Sequence, residues 1–278
     1  GVEGVDDDEK KDEDDEDGGA GGGARARSVA VMTGAGEVAA YAAGATAVAL
    51  ALSRVFASQV YDALICKMTS KWYAAVLQRL DRGQRVLDVG IGTATALLRN
   101  QATLRDKDLH FVGVDYDAKY IASADRCIAA AGLADRCRVH CKSIFDDDLP
   151  AVVQGSDKKP FDAAYFSGSW TLMPNPVRAL RIAAALVKPD GRVFVTQTFQ
   201  RRATPLLGTI KPLLKYVTTI DFGPLHFERD LEAYIKEAER AVDGVSLQVE
   251  EIGIVPGSID NRFQAARLIV FKKVAKSS

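Results

Sequence analysis

The most constraining feature of this sequence is the regular alternation of short strand-like runs and helical runs between residues 85 and 198. Parallel strands need a crossover connection, usually a helix. This order therefore predicts an α/β fold with helices on both faces of a parallel sheet. The predicted strands are 85–89, 110–115, 137–142, 161–167 and 192–198. The predicted helices are 94–103, 118–131 and 176–187.

The C-terminal segment departs from this alternation. Residues 245–255 and 264–274 are two strand-like runs separated by the loop PGSIDNRF, which predicts an antiparallel hairpin at the edge of the sheet. The whole pattern predicts a doubly wound, mostly parallel, seven-stranded sheet with an antiparallel C-terminal hairpin.

Upstream of the first strand, residues 56–80 have the periodicity of a helix. Their apolar residues recur at steps of four and the motif DRG follows, which predicts one buried stripe and a helix end. The stripe consists of Val60, Leu64, Met68, Trp72, Val76 and Leu80.

The N-terminal residues divide into two segments. Residues 1–17 hold eleven acidic residues against two lysines and a glycine tract follows, so residues 1–27 are expected to be a disordered tail. Residues 28–55 are rich in alanine, with an uncharged run of 16 residues at 38–53. A spanning helix needs about 20 apolar residues. Three alternatives therefore stay open: a packed helix, a membrane-surface anchor, or a span.

Four cysteines are too few for a disulfide scaffold, which favours an intracellular, reducing compartment, with membrane or organellar association as a further alternative. Cys137, His140 and Cys141 have the residue types of a metal site. In a strand, however, His140 points away from the face that both cysteines share, and no second ligand pair has zinc spacing. No metal site is therefore expected.

The turn after the first predicted strand suggests the ligand. In RVLDVGIGTATALL, residues 85–98, Gly90 and Gly92 lie at the carboxyl edge of the sheet, where open α/β folds bind nucleotides. A dinucleotide fingerprint needs a third glycine at position 95, which is Thr95. Asp88 suits a cationic ligand better than a pyrophosphate. It either contacts that ligand or braces backbone amides of the loop.

These residues resemble the first motif of class I S-adenosylmethionine-dependent methyltransferases, with Ala94 in place of the usual third glycine. The second strand, in FVGVDYDAKYI, ends in Asp115, where that family has an acid that holds both ribose hydroxyls. The segment CKSIFDDDLP resembles the adenine-contacting segment, although Ser143 stands near the position of the family acid. Ile144 is then expected to pack on the adenine, and Asp146 to reach its amino group.

The resemblance covers about residues 56–275 and implies a Rossmann-like methyltransferase domain at 56–278 with S-adenosyl-L-methionine as cofactor. The cofactor-binding residues that it implies are Asp88, Gly90, Gly92, Thr93, Asp115, Tyr116, Ser143, Ile144 and Ser167.

The region before the first strand resembles methyltransferases of ubiquinone and menaquinone biosynthesis and phosphatidylethanolamine N-methyltransferases. This implies a small-molecule or lipid-like acceptor. The insertion at about 200–228 is basic and amphipathic, typical of a lid over the site or of a segment on a membrane surface. No catalytic base is identifiable. Tyr61 and Trp170 are candidate walls, and His226 is a candidate base.

Two other functions stay open. One is a binding or assembly protein that keeps the fold without catalysis, which the departures at Ala94 and Ser143 allow. The other is a protein methyltransferase. Nucleic acid is not an expected partner, because SGSW follows the fourth strand where amino methyltransferases acting on bases have (D/N)PPY. The sequence does not predict an oligomeric state.

Overall fold

The computed structural model describes residue 44 and residues 65–202, 226–240 and 245–274. The chain forms two compact units, residues 1–53 and 54–278. Residue 44, which is helical, is the described part of the first unit. The predicted acidic tail, the rest of the alanine-rich segment and most of the predicted lid lie outside the described residues, so these remain predictions.

The second unit contains a seven-stranded sheet with the strand order β3-β2-β1-β4-β5-β7-β6. The first five strands along the chain pair in parallel, and β7 is antiparallel to both β5 and β6. This confirms the predicted fold class and hairpin. The strands are β1 (Arg85–Val89), β2 (His110–Asp115), β3 (Cys137–Cys141), β4 (Phe161–Ser167), β5 (Val187–Gln200), β6 (Ser246–Ile254) and β7 (Gln264–Val274).

Helices cover both faces of this sheet. The described helices are α1 (residues 65–79), α2 (Thr95–Leu98), α3 (Gln101–Asp106), α4 (Ala118–Ala130), α5 (Leu149–Gln154), α6 (Pro176–Leu186) and α7 (Glu228–Glu239). A short 3₁₀ turn, Trp170–Leu172, follows β4. One core lies under α1 to α4 and a second under α5 to α7. Because both faces are covered, the central strands are nearly continuous buried runs.

Local sequence explains where several helices begin. The Asp117 carboxylate accepts a hydrogen bond from the Lys119 amide at the start of α4. The Asn175 side chain does the same for Arg178 in α6, where Pro176 stands at the first helical position. Helix α4 thus begins shortly after β2, and α6 begins after the 3₁₀ turn that follows β4.

Two predicted boundaries were wrong. The single helix expected at 94–103 is interrupted between α2 and α3, where the Asn100 amide group donates to the carbonyl oxygens of Ala96 and Ser70. The fifth strand begins at Val187 instead of residue 192, because Val187 already pairs with Phe161. In the described part of the predicted stripe, Trp72, Val76 and Leu80 are buried, and Met68 is half-buried against the same core. Val60 and Leu64 lie outside the described residues.

Among the described residues, no helix has the length and apolar character needed to cross a membrane. The same part of the chain holds no group of three or more His, Cys, Asp or Glu side chains arranged to bind a metal ion. None of the four cysteines, all of which are described residues, forms a disulfide; Cys137 is buried and Cys141 is exposed. Membrane association and compartment remain predictions.

Candidate functional site

The turn between β1 and α2 is attached to the end of β2 by its own backbone. Gly90 and Gly92 have φ angles of 80° and 59°, a region that favours glycine. The amides of Gly90 and Ile91 donate to the Val114 carbonyl oxygen at 2.8 and 3.2 Å, and the Gly92 amide donates to Asp115 Oδ2 at 3.0 Å. Three successive amides are therefore bonded within the protein, whereas a pyrophosphate site needs such amides directed at the ligand.

Asp115 connects this turn to the loop after β2. Its second oxygen, Oδ1, accepts a hydrogen bond from the Asp117 amide at 3.0 Å. Burial raises the pKa of Asp115, and the bonds from Asp117 and Gly92 oppose that effect. A carboxylate has about four acceptor positions, so two hydrogen bonds leave capacity for ligand hydroxyls.

A cavity of about 260 Å³ opens at the carboxyl ends of β1, β2 and β4. Asp115 forms one part of its wall, and Ile144, Leu172 and Met173 form an apolar part. The lining cation Lys142 is already paired with Asp148 at 2.7 Å. A carboxylate opposite apolar side chains suits a nucleoside, with its sugar hydroxyls and flat base, better than a phosphate.

A larger cavity of about 530 Å³ adjoins the first. Their walls share Gly90, Gly92, Tyr120 and Ser167. Helix α1 contributes one side of the larger cavity, with Ile65, Cys66, Thr69 and Tyr73. Among the described residues that line it, Arg99 is the charged one. The two cavities therefore meet at the glycine turn.

The sequence model of a family described as "Methyltransferase domain" matches residues 80–219, half of the chain. This chain belongs to that family. The predicted class of enzyme, a class I methyltransferase that uses S-adenosylmethionine, is thereby confirmed. The match begins just before β1 and covers every strand that contributes to the smaller cavity.

More distant similarities agree on the fold of this methyltransferase. A phosphatidylethanolamine N-methyltransferase from Cereibacter sphaeroides is 24% identical over 139 residues, which are 50% of this chain and 63% of that protein. The chain thus spans less than two thirds of this relative. The crystal structure of the [4+2]-cyclase SpnF has a TM-score of 0.55 and 20% identity, covering 74% of this chain and 82% of its own.

A third similar structure is that of a putative sarcosine dimethylglycine methyltransferase from Galdieria sulphuraria. It has a TM-score of 0.51 and 15% identity, and the match covers 75% of this chain and 86% of that one. At such identities these solved structures establish the fold alone.

Most of the predicted cofactor-binding residues of the methyltransferase lie at these two cavities. Gly90, Gly92 and Ser167 line both, and Thr93 lines the larger. The others that line the smaller cavity are Asp115, Tyr116, Ser143 and Ile144. The structure brings these eight residues together, and their contact with a cofactor remains a prediction.

Asp88 is the exception and needs a correction. It lines neither cavity, has no exposed surface, and accepts a hydrogen bond from the Tyr73 hydroxyl at 2.8 Å. Alternation along β1 puts Asp88 on the face that carries Val86, which α1 covers. Neither direct ligand contact nor bracing of backbone amides therefore describes this carboxylate.

Other candidates are also placed differently from the predictions. Trp170, expected as a wall, has no exposed surface, and its indole N–H donates to the Pro176 carbonyl oxygen at 2.8 Å, so it is a core residue. Asp146, expected at the adenine, accepts a hydrogen bond from the Ser143 amide and so braces its own loop. The His226 ring lies beside Tyr234 and does not line either cavity. Tyr61 lies outside the described residues.

The cavity-lining stripe of α1 was not predicted from the sequence. Ile65, Thr69 and Tyr73 repeat at steps of four, displaced by one residue from the buried stripe that contains Trp72. The periodicity is visible in the sequence, but it does not reveal which stripe faces a cavity. Tyr120 in α4 was missed for the same reason.

Proposed function

We propose that this methyltransferase transfers the methyl group of S-adenosylmethionine to a small-molecule or lipid-like acceptor by in-line displacement. The observation that carries the proposal is the pair of adjoining cavities that meet at Gly90, Gly92 and Ser167. One has the chemistry of a nucleoside site, and the other leaves room for an acceptor.

The residues of the smaller cavity fit the adenosine part of the cofactor. The free acceptor capacity of Asp115 suits two ribose hydroxyls, and Ile144 offers an apolar surface for the adenine. At Gly92 no atom lies within 4 Å of the position that a Cβ would take, so the backbone there is open to a ligand. The smaller cavity has no unpaired cation among its described residues, which suits a ligand without phosphates.

The larger cavity supports an acceptor of small-molecule size. Its volume lies within the usual range of about 300 to 1,000 Å³ for such sites. Ile65 and Tyr73 offer apolar contact, and Arg99 offers hydrogen-bond donors. The Thr69 hydroxyl donates to the Ile65 carbonyl oxygen at 2.8 Å, so its oxygen is left to accept a hydrogen bond. The name of the Cereibacter sphaeroides relative, a phosphatidylethanolamine N-methyltransferase, favours a lipid-like amine within this class.

The cofactor, when bound, supplies a methyl group that its own positive charge has already activated. The remaining work for the protein is to align the acceptor and to exclude water. The residues that line both cavities, including Tyr120, are the ones we propose to align the acceptor with the methyl group.

A second function has a specific observation in its favour. The SpnF structure shares this fold and is that of a [4+2]-cyclase, so the fold hosts other activities. The departures at Ala94 and Ser143 are compatible with a binding protein that does not transfer methyl groups. Turnover, not binding, separates these two functions.

The test begins with calorimetric binding of S-adenosylmethionine and S-adenosylhomocysteine to the full chain. The Asp115→Asn variant is expected to weaken binding at least tenfold, because one charge-assisted hydrogen bond contributes about 1.5 to 3 kcal/mol. The matched control is Asp125→Asn, which changes an exposed carboxylate on α4 away from both cavities. Thermal unfolding of each variant checks that the turn held by Asp115 stays folded.

Methyl transfer is then measured as release of S-adenosylhomocysteine with phosphatidylethanolamine vesicles, soluble amines and quinone precursors. Release with one acceptor class supports the proposal and names the substrate. Folded protein that binds neither cofactor form contradicts it. Binding without release from any acceptor favours the non-catalytic alternative.

A further inference from the structure

The larger cavity borders a buried polar pair that the proposed function does not use. Tyr73 contributes to the cavity wall from α1, and its hydroxyl donates to Asp88 Oδ2 at 2.8 Å. Asp88 lies behind it on β1 with no exposed surface. Tyr73 is itself 2% exposed and belongs to the core under α1, so it connects the cavity wall to a carboxylate that solvent does not reach.

This carboxylate has spare capacity to accept a proton. Among the described residues, Asp88 Oδ1 has no hydrogen-bond partner, which is unusual for a buried ionisable group. Burial raises the pKa of Asp88 to about 7, the Tyr73 hydrogen bond opposes that rise, and Asp115 adds to it. Perturbed carboxylates at cavities are frequent sites of proton transfer, and a base works best near the operating pH.

We propose that Tyr73 is a catalytic residue that takes the proton of an amine acceptor, while Asp88, acting through Tyr73, receives the phenolic proton. This inference rests on the proposed methyl transfer and narrows its acceptor to a nitrogen that carries a proton.

The step balances without a further reactant. The acceptor enters as an ammonium group. One of its N–H protons passes to Tyr73 Oη while the Tyr73 proton passes to Asp88 Oδ2, and the electron pair of that N–H bond becomes the nitrogen lone pair. This lone pair takes the methyl group as the S–CH3 bond breaks and leaves its electron pair on the sulfur of S-adenosylhomocysteine. After the product leaves, the proton returns through Tyr73 to solvent. Burial and the Asp88 charge raise the pKa of Tyr73 well above 10, so a free phenolate is not available. A concerted relay needs none.

Four titratable groups face Asp88 from the elements around it: Tyr73 on α1, Tyr165 on β4, Asp115 on β2 and Cys137 on β3. Burial raises the pKa of both tyrosines, and raises that of Cys137 to about 12. These three stay neutral around pH 7. Of these groups, the carboxylates of Asp88 and Asp115 alone can therefore make the rate depend on pH near 7. An Asp88 variant shows which of the two carboxylates is responsible.

The experiment uses the full chain with three amine probes: ethanolamine, phosphoethanolamine and phosphatidylethanolamine vesicles. The kcat for S-adenosylhomocysteine release is expected to rise with pH through about 7. Tyr73→Phe should lower kcat by about 100-fold, with S-adenosylhomocysteine affinity within about threefold of wild type. Asp88→Asn should remove the rise with pH.

The matched control is Tyr165→Phe. It removes a phenol oxygen from the same buried region, where Tyr165 contacts the Tyr73 ring edge to face and bonds Thr196 at 2.8 Å. Because Tyr165 lines neither cavity and its hydroxyl bonds Thr196 instead of Asp88, this variant should keep the wild-type rate and pH profile. An independent readout is the Asp88 carboxyl titration, followed by infrared or NMR spectroscopy. Tyr73→Phe should raise this pKa, because it removes a hydrogen bond to the charged form.

Three results would overturn the relay. The first is Tyr73→Phe protein that turns over at the wild-type rate, and the second is a rise with pH that persists in Asp88→Asn. The third is wild-type protein that binds the cofactor but methylates none of the three amines. Protein that does not bind the cofactor at all would instead refute the proposed function, so the two failures are distinguishable.

Discussion

The buried Asp88 carboxylate should make the folded protein less stable as the pH rises. In the unfolded chain an aspartate has its usual pKa of 3.8, whereas burial raises the pKa of Asp88 to about 7. Between these values the folded state holds a proton that the unfolded state releases. The contribution of this group to stability is therefore complete below the unfolded pKa and is lost as the pH rises through about 7.

The size of the effect follows from the two pKa values. A tenfold change in proton affinity is worth about 1.4 kcal/mol, so the full contribution is about 4 kcal/mol, of which about 3 kcal/mol is lost between about pH 4.5 and about pH 8.5. Asp88→Asn removes the titration. Its own cost is constant with pH, because the amide neither gains nor loses a proton.

The assay is urea unfolding of wild type and Asp88→Asn at several pH values across this window. As the pH rises, the free energy of unfolding of wild type should fall by about 3 kcal/mol relative to that of Asp88→Asn. The control is Asp162→Asn. Burial raises the pKa of Asp162, but bonds from the Arg85 amide and Lys188 outweigh this and lower it. The contribution of Asp162 to stability is lost only below about pH 4.5, so the free-energy difference between wild type and Asp162→Asn should stay constant across the measured pH range. An Asp88→Asn difference that also stays flat would refute the buried, titrating carboxylate.

Three further predictions concern packing. Ala94 has a φ of 58° where the family usually has glycine, so Ala94→Gly should stabilise the folded protein by up to about 1 kcal/mol. The control Ala122→Gly, at an exposed position of α4, should destabilise it by about 1 kcal/mol, and urea unfolding measures both. In Gly90→Ala the new Cβ would lie 2.5 Å from Ser169 Cβ, so the free energy of unfolding should fall by about 3 kcal/mol. Calorimetry should detect no cofactor binding to this variant. Trp170→Phe should lower the free energy of unfolding by about 2 kcal/mol, because the side chain loses its hydrogen bond and part of its volume. Cofactor affinity should stay unchanged, and weaker cofactor binding would show that Trp170 belongs to the site.

The sheet was predictable because its strands are short apolar runs bounded by turns. Three of the predicted strands coincide with Arg85–Val89, His110–Asp115 and Phe161–Ser167. The break between α2 and α3 was not predictable. It depends on an Asn100 side chain that bonds the Ser70 carbonyl oxygen, thirty residues away along the chain. A periodic pattern carries no information about such a contact.

The site was predictable only where its geometry is local. Gly90, Gly92 and Asp115 lie at strand ends, and the parallel topology alone brings them together. Trp170 follows a strand end in the same way, yet it turns into the core to bond Pro176 and pack against Phe271. Position along the chain places a residue near the edge of the sheet, but rotamer and packing decide whether it faces the ligand.

Helix α1 decides what the motif acid does. The sequence motif assigns Asp88 to the ligand, but the helix contributes Tyr73, whose hydroxyl bonds that acid and whose ring lines the larger cavity. Trp72 and Val76 of α1 are buried in the core. Tyr73 belongs to the same core, with 2% of its surface exposed, and also contributes to the wall of the larger cavity. The helix thus joins the core to the cavity at this residue. Under the proposed function, in which the larger cavity holds the acceptor, substitutions at Ile65, Thr69 and Tyr73 should alter turnover of the acceptor before they alter cofactor binding.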